Sequence, residues 1–137
     1  MTFVVDASVA LSWCFQDEQT PAGVALLDRV VAEGAFAPQL WPLETLNGLL
    51  TAERRGRIDA VLRRRLVNLL ASFPISIDGE TSERAWIGTA MLAERHGLTA
   101  YDAAYLELAL RRSLPLATRD NALIAAANAE GSPVVAT

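Results

Sequence analysis

The chain contains no lysine, so all 12 of its basic residues are arginine. It has one cysteine, Cys14, and one histidine, His96. A lone cysteine excludes an internal disulfide and any cysteine-rich zinc site, and its place between Trp13 and Phe15 predicts a buried, inert thiol. No apolar run approaches the roughly 18 residues a spanning helix needs, and no signal-peptide pattern opens the sequence. A cytoplasmic protein with no membrane segment is therefore expected. Basic charge is also in deficit, with 16 acids leaving a net charge of −4. Nucleic-acid binders usually carry the opposite balance, unless the charge is unevenly placed. Here it is uneven: Arg54, Arg55, Arg57, Arg63, Arg64 and Arg65 share one short window. Arg54, Arg55, Arg63 and Arg64 are candidate RNA or partner contacts; the alternative is a solvated face on two helices.

What is present is a chain of 137 residues, 52% of them hydrophobic, enough for one compact domain over residues 1–137. Short apolar runs alternate with longer helical ones. Strands are predicted at 2–6, at "AFAP", at "ISI", at "PLAT" and at "PVVA". Helices are predicted over "SVALSWCF", from Pro21 to the Gly34 stop, from Leu43 to Arg55, from Ile58 to Ser72, through "DGETSERAWIGTAMLAERHG", from Ala100, and over "RDNALIAAANAEG". This alternation predicts an α/β fold, a three-layer α/β/α sandwich around a mainly parallel sheet of about five strands.

In such folds, ligands gather beyond the carboxyl ends of the strands. Asp6 ends the first strand in "TFVVDASVAL", and Asp120 follows the fourth in "PLATRDNAL". Glu44 lies in a first helical turn in "LWPLETLNGLL", with Asn47 on the same helix face. Asp102 lies in another first turn, in "GLTAYDAAYLELA". Each has a structural explanation taken singly. Ser8 and Asp120 suit helix N-caps, "TAYD" resembles a capping box, and Glu44 complements a helix dipole. Asp6 is harder to dismiss, because an unpaired charge at a central strand end is costly. Taken together, converging carboxylates repel unless a cation holds them. With His96 placed as a helix C-terminal dipole partner, the donor set is all oxygen and selects Mg²⁺ or Mn²⁺. A metal in such a site activates water against a phosphodiester.

At these four stretches the chain resembles a PIN domain, and more narrowly the VapC toxins of bacterial toxin–antitoxin pairs. The resemblance covers the whole chain. It implies a metal-dependent endoribonuclease whose acidic quartet falls on Asp6, Glu44, Asp102 and Asp120, with Ser8 and Thr118 as supporting polar positions. It also implies RNA as substrate, cleaved to a 3′-hydroxyl and a 5′-phosphate, a homodimer, and silencing by a cognate VapB-like antitoxin. The apolar residues Trp13, Phe15 and Leu27 are the expected groove for that partner, unless they are core residues. The rival from another class is a non-catalytic binding or scaffold module of the same fold. A haloacid-dehalogenase-type phosphatase would want an acid where Ser8 stands, and a receiver domain would want a late lysine.

Overall fold

The computed structural model describes residues 2–137. The apolar run at the start forms β1 (Val4–Val5), and α1 (Ala7–Cys14) follows at once. After a 3₁₀ turn at Gln16–Glu18, Thr20 caps α2 (Pro21–Glu33) by accepting the Gly23 N–H at 2.9 Å. Then come β2 (Ala35–Ala37), α3 (Trp41–Arg54), α4 (Ala60–Ser72), whose N-cap is Asp59, and β3 (Ile75–Ile77). The expected single helix before Gly97 is divided into α5 (Thr81–Arg84), a π-helical turn (Ala85–Thr89) and α6 (Ala90–His96). Next are α7 (Ala100–Arg112), β4 (Leu116–Ala117) and α8 (Asn121–Ala129).

The four strands pair in parallel in the order β3-β2-β1-β4. From β1 the chain steps outward to β2 and β3, then returns to lay β4 on the other side of β1. Right-handed crossovers in opposite directions put the intervening helices on opposite faces, so the α/β/α expectation holds. The reversal leaves a crevice at the carboxyl ends of β1 and β4. The strand count departs from expectation. The segment read as a fifth strand makes one isolated parallel bridge, Leu116 to Val134, because Pro133 has no N–H to donate and β4 is only two residues long. The first strand is also shorter than the predicted 2–6.

Helix α7 has the longest unbroken buried stretch: Ala103 through Ala109 are all buried, and it packs on β1, β4 and α8. Trp13 and Phe15 are buried too, at 6% and 7% exposure, and Leu27 is half-buried. The expected apolar groove at these three residues is therefore not an open surface. The Trp13 indole donates to the Gly23 carbonyl at 2.9 Å and meets Phe73 edge-on. The large apolar side chains left in solvent are elsewhere, foremost Trp86, Ile87 and Leu43. Cys14 is half-buried, and burial, with the charge of Glu18 behind it, pushes its thiol up to about 11. That fits the inert thiol read from its neighbours.

Close approach of α1 to α3 depends on a glycine. A Cβ placed on Gly48 would run into the side chain of Leu11. Since α1 begins directly after Asp6 and α3 carries Glu44, this contact sets how near those two carboxylates come. Gly48→Val should force the two helices apart and cost about 1–3 kcal/mol, the usual range for overpacking. A thermal melt beside wild type checks this; an unchanged Tm would show that Leu11 simply swings aside.

Candidate active site

Asp6 occupies the N-cap position of α1 but caps nothing with its side chain. Its Oδ2 instead accepts two hydroxyl hydrogen bonds, from Ser8 at 2.8 Å and from Thr118 at 2.7 Å. Both hydroxyls accept in turn from the backbone of the β4–α8 turn: Arg119 N–H donates to Ser8 at 3.2 Å, and Asp120 N–H to Thr118 at 3.1 Å. Thr118, 112 positions away in sequence, is thereby locked onto the carboxylate of Asp6. Asp6 is 5% exposed, and burial raises its pKa despite both hydroxyl donors; the charge of Asp120 adds to the rise.

The other acids arrive from helix starts. Glu44, in the first turn of α3, accepts a 2.6 Å hydrogen bond from the Tyr105 hydroxyl at Oε1. Its pKa is raised by burial first, then by the charges of Asp6 and Asp102, against the pull of Tyr105. Asp102, in the first turn of α7, is raised by burial and then by Asp120 and Asp6. Asp120 is the N-cap of α8, its Oδ1 accepting the Leu123 N–H at 2.8 Å. The capping explanation holds for that oxygen and leaves its Oδ2 for other work. Thr99, the first residue of "TAYD", caps α7 by accepting the Asp102 N–H at 3.1 Å.

The four acids thus share one electrostatic neighbourhood, each of Asp6, Glu44 and Asp102 made more basic by its acidic neighbours. No arginine is among the charges acting on these three. Elsewhere the chain neutralises its carboxylates: Arg111 reaches Asp78, Glu80 and Glu107, and Arg95 and His96 reach Glu130. His96, at the end of α6, lies 2.7 Å from the same Glu130 carboxylate, within hydrogen-bond distance. The quartet is a patch of negative charge with no ion pair to any of its four acids among the described residues. As placed, no three histidine, cysteine or acidic side chains among the described residues are grouped to chelate one ion.

Asn47, one turn beyond Glu44, is exposed, and no hydrogen bond to its side chain is found among the described residues. Of the arginine window, Arg63 is held by Glu53 at 2.7 Å and Arg57 by Asp17 and Glu18, while Arg54, Arg55 and Arg64 are exposed. The window is two helix faces and the turn between them, not one uniformly free patch. Tyr105 was not singled out from sequence. The signal was there, three residues after Asp102 on a buried helix face, where a tyrosine hydroxyl must find a partner.

A domain-family model described as "PIN domain" matches residues 3–129. The chain belongs to the PIN domain family. Among solved structures, PAE2754 from Pyrobaculum aerophilum is similar at 27% identity with a TM-score of 0.68, over 92% of this chain and 84% of that one. FitAcB from Neisseria gonorrhoeae is similar at 20% identity and a TM-score of 0.66, over 98% and 97% of the two chains. A structure of FitAB bound to an IR36 DNA fragment gives 19% identity and a TM-score of 0.62, over 97% and 93%. The last two are likenesses of fold. No curated protein sequence matches this one.

Asp102 holds its proton more tightly folded than unfolded, so ionising it costs stability. The cost is present in full at neutral pH and disappears as the pH falls below the ordinary aspartate range. Asp102→Asn should therefore raise the Tm of metal-free protein by a few degrees at neutral pH, and the gain should shrink on acidification. Paired melts across pH in EDTA read this directly; a variant less stable than wild type at neutral pH would contradict it.

Proposed function

We propose that this PIN-domain protein is a Mg²⁺- or Mn²⁺-dependent endoribonuclease, the toxin of a VapBC-type toxin–antitoxin pair. PIN domains are in general metal-dependent nucleases, so membership supports nuclease activity. The observation that carries the finer reading is the uncompensated quartet: acids that raise one another's pKa at a sheet crevice, with no arginine among the charges acting on them. A divalent cation is the missing counter-charge, and the donors, all carboxylate and hydroxyl oxygens, suit a hard ion.

In this reading Asp6, Glu44 and Asp102 hold the ion, directly or through water, and Asp120 completes the site with its second oxygen. Mg²⁺ commonly takes one or two carboxylates and keeps several waters, which agrees with acids that lie near one another without forming a closed chelate. When bound, the ion supplies charge neutralisation and a water acidic enough to attack phosphorus. The chain's own residues prepare the site. The hydroxyls of Ser8 and Thr118 favour the ionised form of Asp6 against its burial, and Tyr105 does the same for Glu44. RNA is the substrate, the cytoplasm the compartment, and a second copy and a VapB-like antitoxin are the partners of the proposed pair. The DNA-bound FitAB structure agrees with a nucleic-acid setting for this fold.

The rival reading, a non-catalytic binding module, draws on the same lack of a ready-made chelate. Cleavage of total bacterial RNA by purified protein separates the two. Discrete fragments should appear with Mg²⁺ or Mn²⁺, vanish in EDTA and vanish in Asp6→Asn. Silence in every condition, with no metal binding by calorimetry, would favour the module. Thr118→Val should lower activity or metal affinity about 10–100-fold, the usual cost of removing a group that orients a ligand. Tyr105→Phe removes the donor that favours ionised Glu44, so the acid limb of the pH–rate profile should move to higher pH. An unmoved limb would show that Glu44 does not titrate in the rate-determining state.

A further inference from the structure

Beside the acids lies a cleft of about 350 Å³ whose polar lining is Ser8, Thr51, Arg55, Arg57, Arg119 and Glu18. It is continuous with the acidic site through two residues. Ser8 lines the cleft and donates to Asp6, and Arg119 lines it from between Thr118 and Asp120. Its three guanidiniums are not equivalent. Arg57 is spent on Asp17 and Glu18, at 2.6 and 2.7 Å, and lies 3.9 Å from the centre of the Phe15 ring. Arg55 and Arg119 have no carboxylate partner among the described residues. They differ in this from Arg57, Arg63, Arg84, Arg95 and Arg111, all of which are paired. Neither figures among the charges acting on Asp6, Glu44 or Asp102.

We infer that this cleft carries the phosphate backbone of single-stranded RNA away from the scissile bond, with Arg55 and Arg119 as its phosphate contacts. The inference rests on the nuclease reading above and adds the path that the strand takes. A polyanion approaching a chain of net charge −4 is repelled by most of its surface. Arg55 and Arg119, two guanidiniums without a carboxylate partner among the described residues, line the cleft beside the acids and give the polyanion a favourable path from the site. Guanidinium forks suit phosphate oxygens, and Leu11 and Phe15 supply an apolar part of the same lining. Arg57, fixed over Phe15 by its two acids, closes the far wall and is not counted as a contact.

The test measures binding of an end-labelled, mixed-sequence single-stranded RNA by fluorescence anisotropy, in the Asp6→Asn background with Mg²⁺, over a range of salt. Adding Arg55→Ala and Arg119→Ala should weaken binding roughly tenfold or more and reduce the salt slope by about 1.4, two single-strand phosphate contacts. Arg65→Ala, an exposed arginine of α4, should change neither. Mn²⁺ calorimetry and the melt of the Arg55→Ala, Arg119→Ala protein with Asp6 intact should match wild type, since the cleft does not build the acidic site. Unchanged RNA affinity and slope, in a protein that binds metal and cleaves RNA, would overturn the cleft while leaving the nuclease standing. Lost binding of poly-glutamate with RNA binding kept would overturn it in favour of an acidic protein partner. A wild-type protein that neither binds nor cleaves RNA would remove the nuclease reading first, and this inference with it.

Discussion

The two hydroxyl hydrogen bonds on Asp6 Oδ2 hold the site together. Ser8 and Thr118 come from opposite ends of the chain, and each is itself gripped by a backbone N–H of the turn after β4. Through them the end of β1, the start of α1 and the start of α8 become one rigid corner at the reversal of the sheet. A buried carboxylate needs such partners, because its desolvation in an apolar strand end would otherwise protonate it. Hydroxyls meet the need without neutralising the charge, as an arginine would. Asp6 is thus kept basic and short of positive charge.

That shortage extends over the quartet. Burial and mutual repulsion raise Asp6, Glu44 and Asp102, and the fold bears the cost with no internal cation to relieve it. The contrast with the opposite end of α7 is instructive. There Asp78 and Glu107, also buried, are bound by one arginine, Arg111, at 2.6 and 2.9 Å. The same helix therefore carries a compensated acidic cluster at its end and an uncompensated one at its start. Proteins commonly accept instability where a site must be poised, and the two clusters separate carboxylates paired with a cation from carboxylates with none among the described residues.

Charge on this molecule is sorted by pairing more than by position in the sequence. Half of its arginines lie between residues 54 and 65, yet that stretch splits into a paired set and a free set once α3 turns into α4. Arg55 ends up in a cleft with Arg119, which is remote from it in sequence. Packing enters here as well: Gly48 of α3 and Leu11 of α1 both line the cleft, and a Cβ on Gly48 would meet Leu11.

The sequence by itself determined the parallel α/β architecture, most helix limits and the places of Asp6, Glu44, Asp102 and Asp120 at a strand end and at helix starts. These are local properties: a strand end, a first helical turn, a capping residue and an apolar period all show in a few consecutive residues. Tertiary structure alone decided what depends on distance between remote segments. Only there do Thr118 and Tyr105 become donors to Asp6 and Glu44, at separations of 112 and 61 residues. Trp13 and Phe15 read as surface or core with equal right until neighbouring helices closed over them. The last apolar run shrank from a strand to one bridge because its partner, β4, offers only two residues. Periodicity reports which faces are apolar, whereas pairing and burial depend on what the fold brings to those faces.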